Sequence, residues 1–245
     1  MNNVMKLSVV AVILALGMIL SASLLSKLFV RIRHEKAITV KGYAEQDIVS
    51  DVGKFSCTYR ARGSSLPEAY DRLQKNRSAV TAYLKRMGFR DEEMVAMTID
   101  TYKVSKRDAQ GKETNEIEYY DVSQTITISS TNVTLIRGVS TSITDLIKEG
   151  VEIRASSPQF YISDLKDTKV GLLARATEDG HRRAVTLAEN SGGKVGALIS
   201  AQQGVFQITE RNSTDTSGYG EYNTRTIEKT AKAVVTLEYA IQPNP

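Results

Sequence analysis

Gly53 to Gly88 reads GKFSCTYRARGSSLPEAYDRLQKNRSAVTAYLKRMG, and within it the hydrophobic period changes from that of a strand to that of a helix. Phe55, Cys57 and Tyr59 alternate along Gly53 to Arg62, so they share one face of a strand. Ser65-Leu66-Pro67-Glu68 then supplies a capping hydroxyl, a proline early in the first turn and a glutamate three residues after the cap. Ala69, Leu73, Val80, Leu84 and Met87 follow at helical spacing until Gly88 stops the run. A strand with one apolar face, followed by a helix with one apolar face, predicts that each covers the other.

Working outward, Ala37 to Gly42 reads as a preceding strand with Ile38 and Val40 alternating, expected to form a hairpin with the next one. Downstream, Met94 to Val104 and Glu116 to Ser129 read as strands separated by the polar turn Asp108-Ala109-Gln110-Gly111. In the later strand Ile117 and Tyr119 have one parity and Val122, Ile126 and Ile128 the other, which predicts a bulge near Tyr120 to Val122. Val133, Ile136, Val139, Ile143, Leu146 and Ile147 predict a second helix ending at Gly150, and Val151 to Ser163 a further strand. Asp164 to Asn190 is a long helix stopped by Gly192-Gly193, and Lys194 to Ile208 and Thr226 to Ile241 are closing strands. Thr209 to Arg225, with its Ser, Thr, Asn and Gly, reads as a long mobile loop whose Tyr219 and Tyr222 are solvated. The expected class is α+β: an antiparallel or mixed sheet packed with two to three long helices, in one domain over residues 37–245. No internal repeat is evident.

Residues 1–36 form a separate segment. Leu7 to Ser26 is an uncharged run that as a helix at about 1.5 Å per residue matches the bilayer core. It reads as a transmembrane anchor or, given the n-region Met1 to Lys6 and the small residues Ser21-Ala22-Ser23, as a secretory signal. Its length favours the anchor. The formal charge of +4 and the pI near 9.0 arise here: Lys6, Lys27, Arg31, Arg33 and Lys36, less Glu35, account for the whole excess. Residues 37–245 are formally neutral, so the electrostatic footprint of a nucleic-acid-binding face is missing and no nucleic-acid partner is expected. Taken alone, the cluster following the segment would place the domain in the cytoplasm.

Chemistry is sparse in this chain. Its single cysteine, Cys57, makes no intrachain disulfide and reads as a buried apolar residue, with a reactive thiol as the alternative. Beyond the juxtamembrane His34 the only imidazole is His181, in the charged helical stretch Glu178-Asp179-Gly180-His181-Arg182-Arg183, which a solvated helix face explains. Asp91-Glu92-Glu93 is a solvated acidic run without calcium-loop spacing. Two His and one Cys give no zinc-ligand cluster, and no phosphate loop, dinucleotide fingerprint or nucleophile elbow is present. The sequons at Asn76, Asn132 and Asn212 carry no weight. No catalytic, cofactor-binding or metal-ligating residue is therefore assigned.

Ile38-Thr39-Val40-Lys41-Gly42-Tyr43-Ala44-Glu45, the capped helix, the long helix running into Ala188-Glu189-Asn190-Ser191-Gly192-Gly193-Lys194-Val195-Gly196, and the closing Val234-Val235-Thr236-Leu237-Glu238-Tyr239 together resemble the SIMPL-domain family of bacterial envelope proteins over residues 37–241. The resemblance implies an export segment and a periplasmic domain, with links in some members to oxidative-stress defence and to ring-like, channel-forming oligomers. It supplies no catalytic residues. The expectation is a non-enzymatic, membrane-anchored envelope protein that self-associates into a homo-oligomer, its closing strand Ala233 to Tyr239 pairing with a neighbour if it lies at a sheet edge. The alternatives are an unrecognised periplasmic hydrolase using His181 or the acidic loop, and a monomeric partner-binding module.

Overall fold

The computed structural model describes residue 14 and residues 17–22, 37–214 and 217–243. His34 and most of Leu7 to Ser26 lie outside these. Among the described residues, 17–22 are helical and no helix is long and apolar enough to cross a membrane.

The fold is α+β, with helices α1 (Leu66–Arg86), α2 (Val133–Ser142) and α3 (Lys166–Asn190). The strands are β1 (Ala37–Val49), β2 (Val52–Gly63), β3 (Met94–Arg107), β4 (Glu113–Ser130), β5 (Glu152–Ala155), β6 (Gln159–Tyr161), β7 (Gly193–Gln203), β8 (Gln207–Glu210), β9 (Glu221–Tyr222) and β10 (Glu228–Pro243). They make two sheets rather than the single one expected. One runs β1-β10-β8-β9 with β7 also on β10, and the other runs β3-β4-β2-β5 with β6 also on β2. β8 and β9 pair in parallel, while β10 pairs antiparallel with β7 and β8, β2 with β4, β5 and β6, and β3 with β4.

The chain divides into two compact units. The α3 unit comprises the described residues up to Ala44, then Gly171–Gly204 and the chain from Ala233, and the α1 unit comprises Glu45–Val170 and Val205–Lys232. In the α3 unit the helix buries Leu172, Ala176, Gly180, Ala184 and Ala188, a stripe of mostly small residues four apart. That stripe meets Gly42 of β1 so closely that a Cβ on Gly42 would lie 2.0 Å from the Ala176 carbonyl oxygen and 2.7 Å from the Gly180 nitrogen. A glycine inside a strand marks such an approach, and it lets β1 continue past the Gly42 terminus expected from sequence. The helix stops at Gly192, whose φ of +75° is the left-handed conformation glycine adopts freely.

In the α1 unit one face of the sheet is apolar: Phe55, Cys57, Tyr59 and Ala61 on β2, with Val122, Ile126 and Ile128 on β4. It packs with Ala69, Leu73, Val80 and Leu84 of α1 and with Ile136 and Val139 of α2 in one buried cluster. α1 begins as expected, with the Glu68 N–H donating to Ser65 Oγ. Gln124, which with Ser130 is polar on the buried face of β4, uses both ends of its amide: it accepts from Tyr59 Oη at 2.6 Å and donates to the Met97 carbonyl at 2.7 Å. Met97 lies in a register shift between Ala96 and Ile99, so the buried amide serves a carbonyl displaced from the ladder.

Five expectations are corrected by this architecture. β1 and β2 form no hairpin, although only Ser50 and Asp51 separate them. Neither residue has the positive φ of a tight hairpin turn, and their N–H groups donate to the carbonyls of Ile227 and Tyr161 while the strands enter different sheets. The β4 bulge lies between Ile117 and Tyr119, since Val104 pairs with Tyr119 and Ser105 with Ile117. Val151 to Ser163 is two strands, because Pro158 offers no N–H to the ladder. Lys194 to Ile208 is likewise divided, at Gly204, whose N–H donates to the Val234 carbonyl, and the 209–225 stretch carries the end of β8 and all of β9. Finally, the closing strand is not an edge: β10 lies between β1 and the strands β7 and β8, its Val235 to Tyr239 pairing with β7, and it buries Ala233, Val235, Leu237 and Tyr239.

Candidate functional site

The residues singled out by sequence scatter. Cys57 is buried in the α1 unit, and burial pushes its thiol up to about 12, leaving no thiolate at neutral pH. His181 is exposed on α3 with its ring edge-on to Tyr239, centroids 5.4 Å apart. Its neighbour Asp179 is committed elsewhere: it accepts the Tyr43 N–H at 3.0 Å and pairs with Arg182 at 2.9 Å and Arg183 at 2.8 Å. The Tyr43 bond and the two guanidiniums hold its carboxyl below the usual range. Asp91-Glu92-Glu93 forms a 3-10 turn in which Asp91 pairs with Lys85, while Glu93 accepts the Arg90 N–H and is lowered by it. Asn132 caps α2 through the Leu135 N–H, and Asn76 donates to the Arg60 carbonyl. No group of three His, Cys, Asp or Glu suited to a metal occurs among the described residues.

Sequence reasoning passed over a pair that folding creates in the α1 unit. Lys229 is 0% exposed and donates to Ser50 Oγ at 2.6 Å and to the Thr226 carbonyl. Ser50 is itself 3% exposed, and its N–H is held by the Ile227 carbonyl. Desolvation, with no ion pair to a carboxylate among the described residues, lowers the ammonium to about 8. A hydroxyl beside an amine that loses its proton near neutrality is the geometry of a nucleophile and its base. Equally, three N–H donors satisfied by hydroxyl and carbonyl oxygens pin the corner where β1 ends. The residues lie 179 positions apart. The only local sign was a lysine of apolar parity in Thr226 to Ile241.

The surface carries two further features. The face of β2 opposite the core is lined with hydroxyls: Ser56 Oγ meets Thr127 Oγ1 at 3.0 Å and Thr58 Oγ1 meets Thr125 Oγ1 at 2.7 Å. Beside it a polar cavity of about 730 Å³ is bounded by Ser56, Thr58, Arg60, Glu152, Arg154 and Ser156. In the α3 unit a groove of about 580 Å³ runs between β1 and α3, with Lys41, Arg182 and Arg183 at its walls and Val40 and Leu187 as its apolar part.

Against known families, residues 38–240 match the model described as SIMPL, a protein of unknown function (DUF541), and the chain belongs to that family. No curated protein matches it.

Proposed function

We propose that this SIMPL-family chain is a non-enzymatic protein of the bacterial cell envelope: a periplasmic domain, held at a membrane by Leu7 to Ser26, that self-associates into a homo-oligomer. Any part in stress defence is then indirect, and a channel would follow only from ring closure. The observation that carries the reading is the open edge of β3. It is fourteen residues long, contains no proline, ends its sheet, and leaves Val95, Met97 and Tyr102 exposed. Long edges of this kind are normally shortened, covered or paired, and membrane confinement raises the concentration at which they meet. The test is light scattering on the intact protein in mild detergent: a discrete multiple of 27.0 kDa is expected, and a single-chain mass across micromolar concentrations overturns the reading. Retention of Lys6 and resistance to alkaline carbonate extraction test the anchor, whereas an N-terminus near Leu24 would make the segment a signal.

A second reading, acyl hydrolysis by Ser50 with Lys229 as base, is favoured by their 2.6 Å contact alone. Covalent labelling by a fluorophosphonate that is lost in Ser50→Ala would establish it. The burial of both side chains weighs against substrate access.

A further inference from the structure

The register of β3 on β4 runs unbroken from Ile99 to Val104, between the shifts that follow Ala96 and Val104. The backbone groups this stretch offers are fixed from the far side of the sheet. The Ser56 N–H donates to Ser156 Oγ and its carbonyl accepts the Ser156 N–H, so both face β5. Alternation then turns the even-numbered residues of β4 toward β2 and its odd-numbered residues toward β3, where they meet Asp100, Tyr102 and Val104. Ile99, Thr101 and Lys103 are left with N–H and C=O directed outward, where no described strand receives them. Their side chains lie on the helix face of the sheet, since Thr101 stands opposite the buried Val122. On that face β3 and the start of α1 border an apolar groove of about 430 Å³, with the exposed Leu66 and Tyr70 in its walls beside Asp71 and Ile99. The charges here are uncommitted. Lys106 and Arg107 pair with Glu116 and Glu113 inside their hairpin, whereas the side chains of Asp71, Asp100 and Lys103 have no ion pair or hydrogen bond among the described residues.

These groups select both the occupant and its register. An antiparallel second β3 centred on Asp100 or on Lys103 would set that residue against itself, and like charges directly opposite are destabilising. Centring on Tyr102 pairs Ile99 with Ser105, beyond the register shift. Centring on Thr101 pairs every outward residue of the straight stretch, Thr101 with Thr101 and Ile99 with Lys103 in both directions. Lys103 of each copy then stands opposite Ile99 of the other, on the face where Asp71 lines the groove, and Tyr102 stands opposite Asp100 on the other face. We propose, resting on the self-association reading above, that two copies join their sheets edge to edge through β3, antiparallel and two-fold about Thr101, with Lys103 of each reaching Asp71 of the other across the groove. The contact is isologous and closes at two chains.

Cross-linking and light scattering on the intact protein in mild detergent test this. Cys57 is the one native cysteine and is buried, so an introduced thiol reacts alone. In this register the two Thr101 Cα atoms lie about 5.5 Å apart and the two Val95 Cα atoms about 40 Å apart. Thr101→Cys is therefore expected to give a covalent two-chain product with a short bismaleimide, and Val95→Cys none. Lys103→Asp and Asp71→Lys each set like charges across the groove and are expected to weaken the dimer about tenfold. Circular dichroism should not change, because the altered side chains are exposed. Combining Lys103→Asp with Asp71→Lys restores opposite charges and is expected to recover the dimer. A wild-type oligomer in which Thr101→Cys stays unlinked, or Val95→Cys links equally, overturns this contact and leaves self-association standing. Single variants that do not weaken the dimer, or a combined variant that does not recover it, overturn the Lys103–Asp71 pairing. A wild type that is monomeric across micromolar concentrations overturns both readings.

Discussion

Where α3 crosses β1, Gly42 and Gly180 bring main chain against main chain in mid-helix, whereas α1 comes that close only at its first turn, where Ala69 meets Gly63 of β2, and beyond it stands off the sheet on Leu73, Val80 and Leu84 against Phe55, Tyr59 and Ile128. The first arrangement has no side-chain volume to yield. The second is a core of interlocking large groups, in which a lost methylene leaves a space that neighbours partly fill. Two helices on two sheets therefore differ along their middles in what they tolerate: α3 resists additions, and α1 beyond its first turn resists deletions.

The sharpest way to break that contrast is Gly42→Val, which drives a branched side chain into the Ala176 carbonyl. A loss beyond about 4 kcal/mol is expected, with amide-exchange protection disappearing from α3. Leu73→Ala in α1 should cost about 2–4 kcal/mol by urea unfolding, since Leu73 is fully buried. If Gly42→Val proved milder than Leu73→Ala, the two packings would not differ as argued.

Gly180→Ala refines the comparison. Its added methyl would meet Leu237 Cδ1 at 2.7 Å, the mobile end of a side chain, with the Gly42 backbone 3.3 Å away. Because a side-chain methyl can rotate aside, about 1–2 kcal/mol is expected, well short of Gly42→Val. The smallest effect at neutral pH belongs to Lys229→Met, which exchanges a buried amine for a thioether of similar length. The folded ammonium titrates near 8 and the unfolded one near 10.5. Between those values the unfolded chain binds more protons, so wild-type stability gains from rising pH. The melting temperature of the wild type should rise relative to that of Lys229→Met from pH 8 to 10, and parallel curves would show that Lys229 is not desolvated as described.

Much of the fold was legible because its signals are local. The Ser65 cap, the alternation of Phe55, Cys57 and Tyr59, and the glycines closing α1 and α3 depend on residues a turn or less apart, and each stands where the sequence placed it. Legibility failed where a partner was remote. The two residues between β1 and β2 look like a hairpin link, yet their N–H groups are taken by Ile227 and Tyr161. Of the candidate site, Asp71, Asp100 and Lys103 were visible only as scattered charges. The strand edge they flank became visible once β3 was seen to end its sheet.

The sequence by itself determined where most helices and strands lie and that the net positive charge belongs to the first 36 residues, because periodicity, caps and charge are properties of neighbours along the chain. Only the tertiary structure decided which strands share a sheet. It put β10 inside and left β1 and β3 at edges, and it brought Lys229 to Ser50. A strand satisfies its backbone groups with whichever strand folding sets beside it, and nothing in its own side-chain alternation names that neighbour.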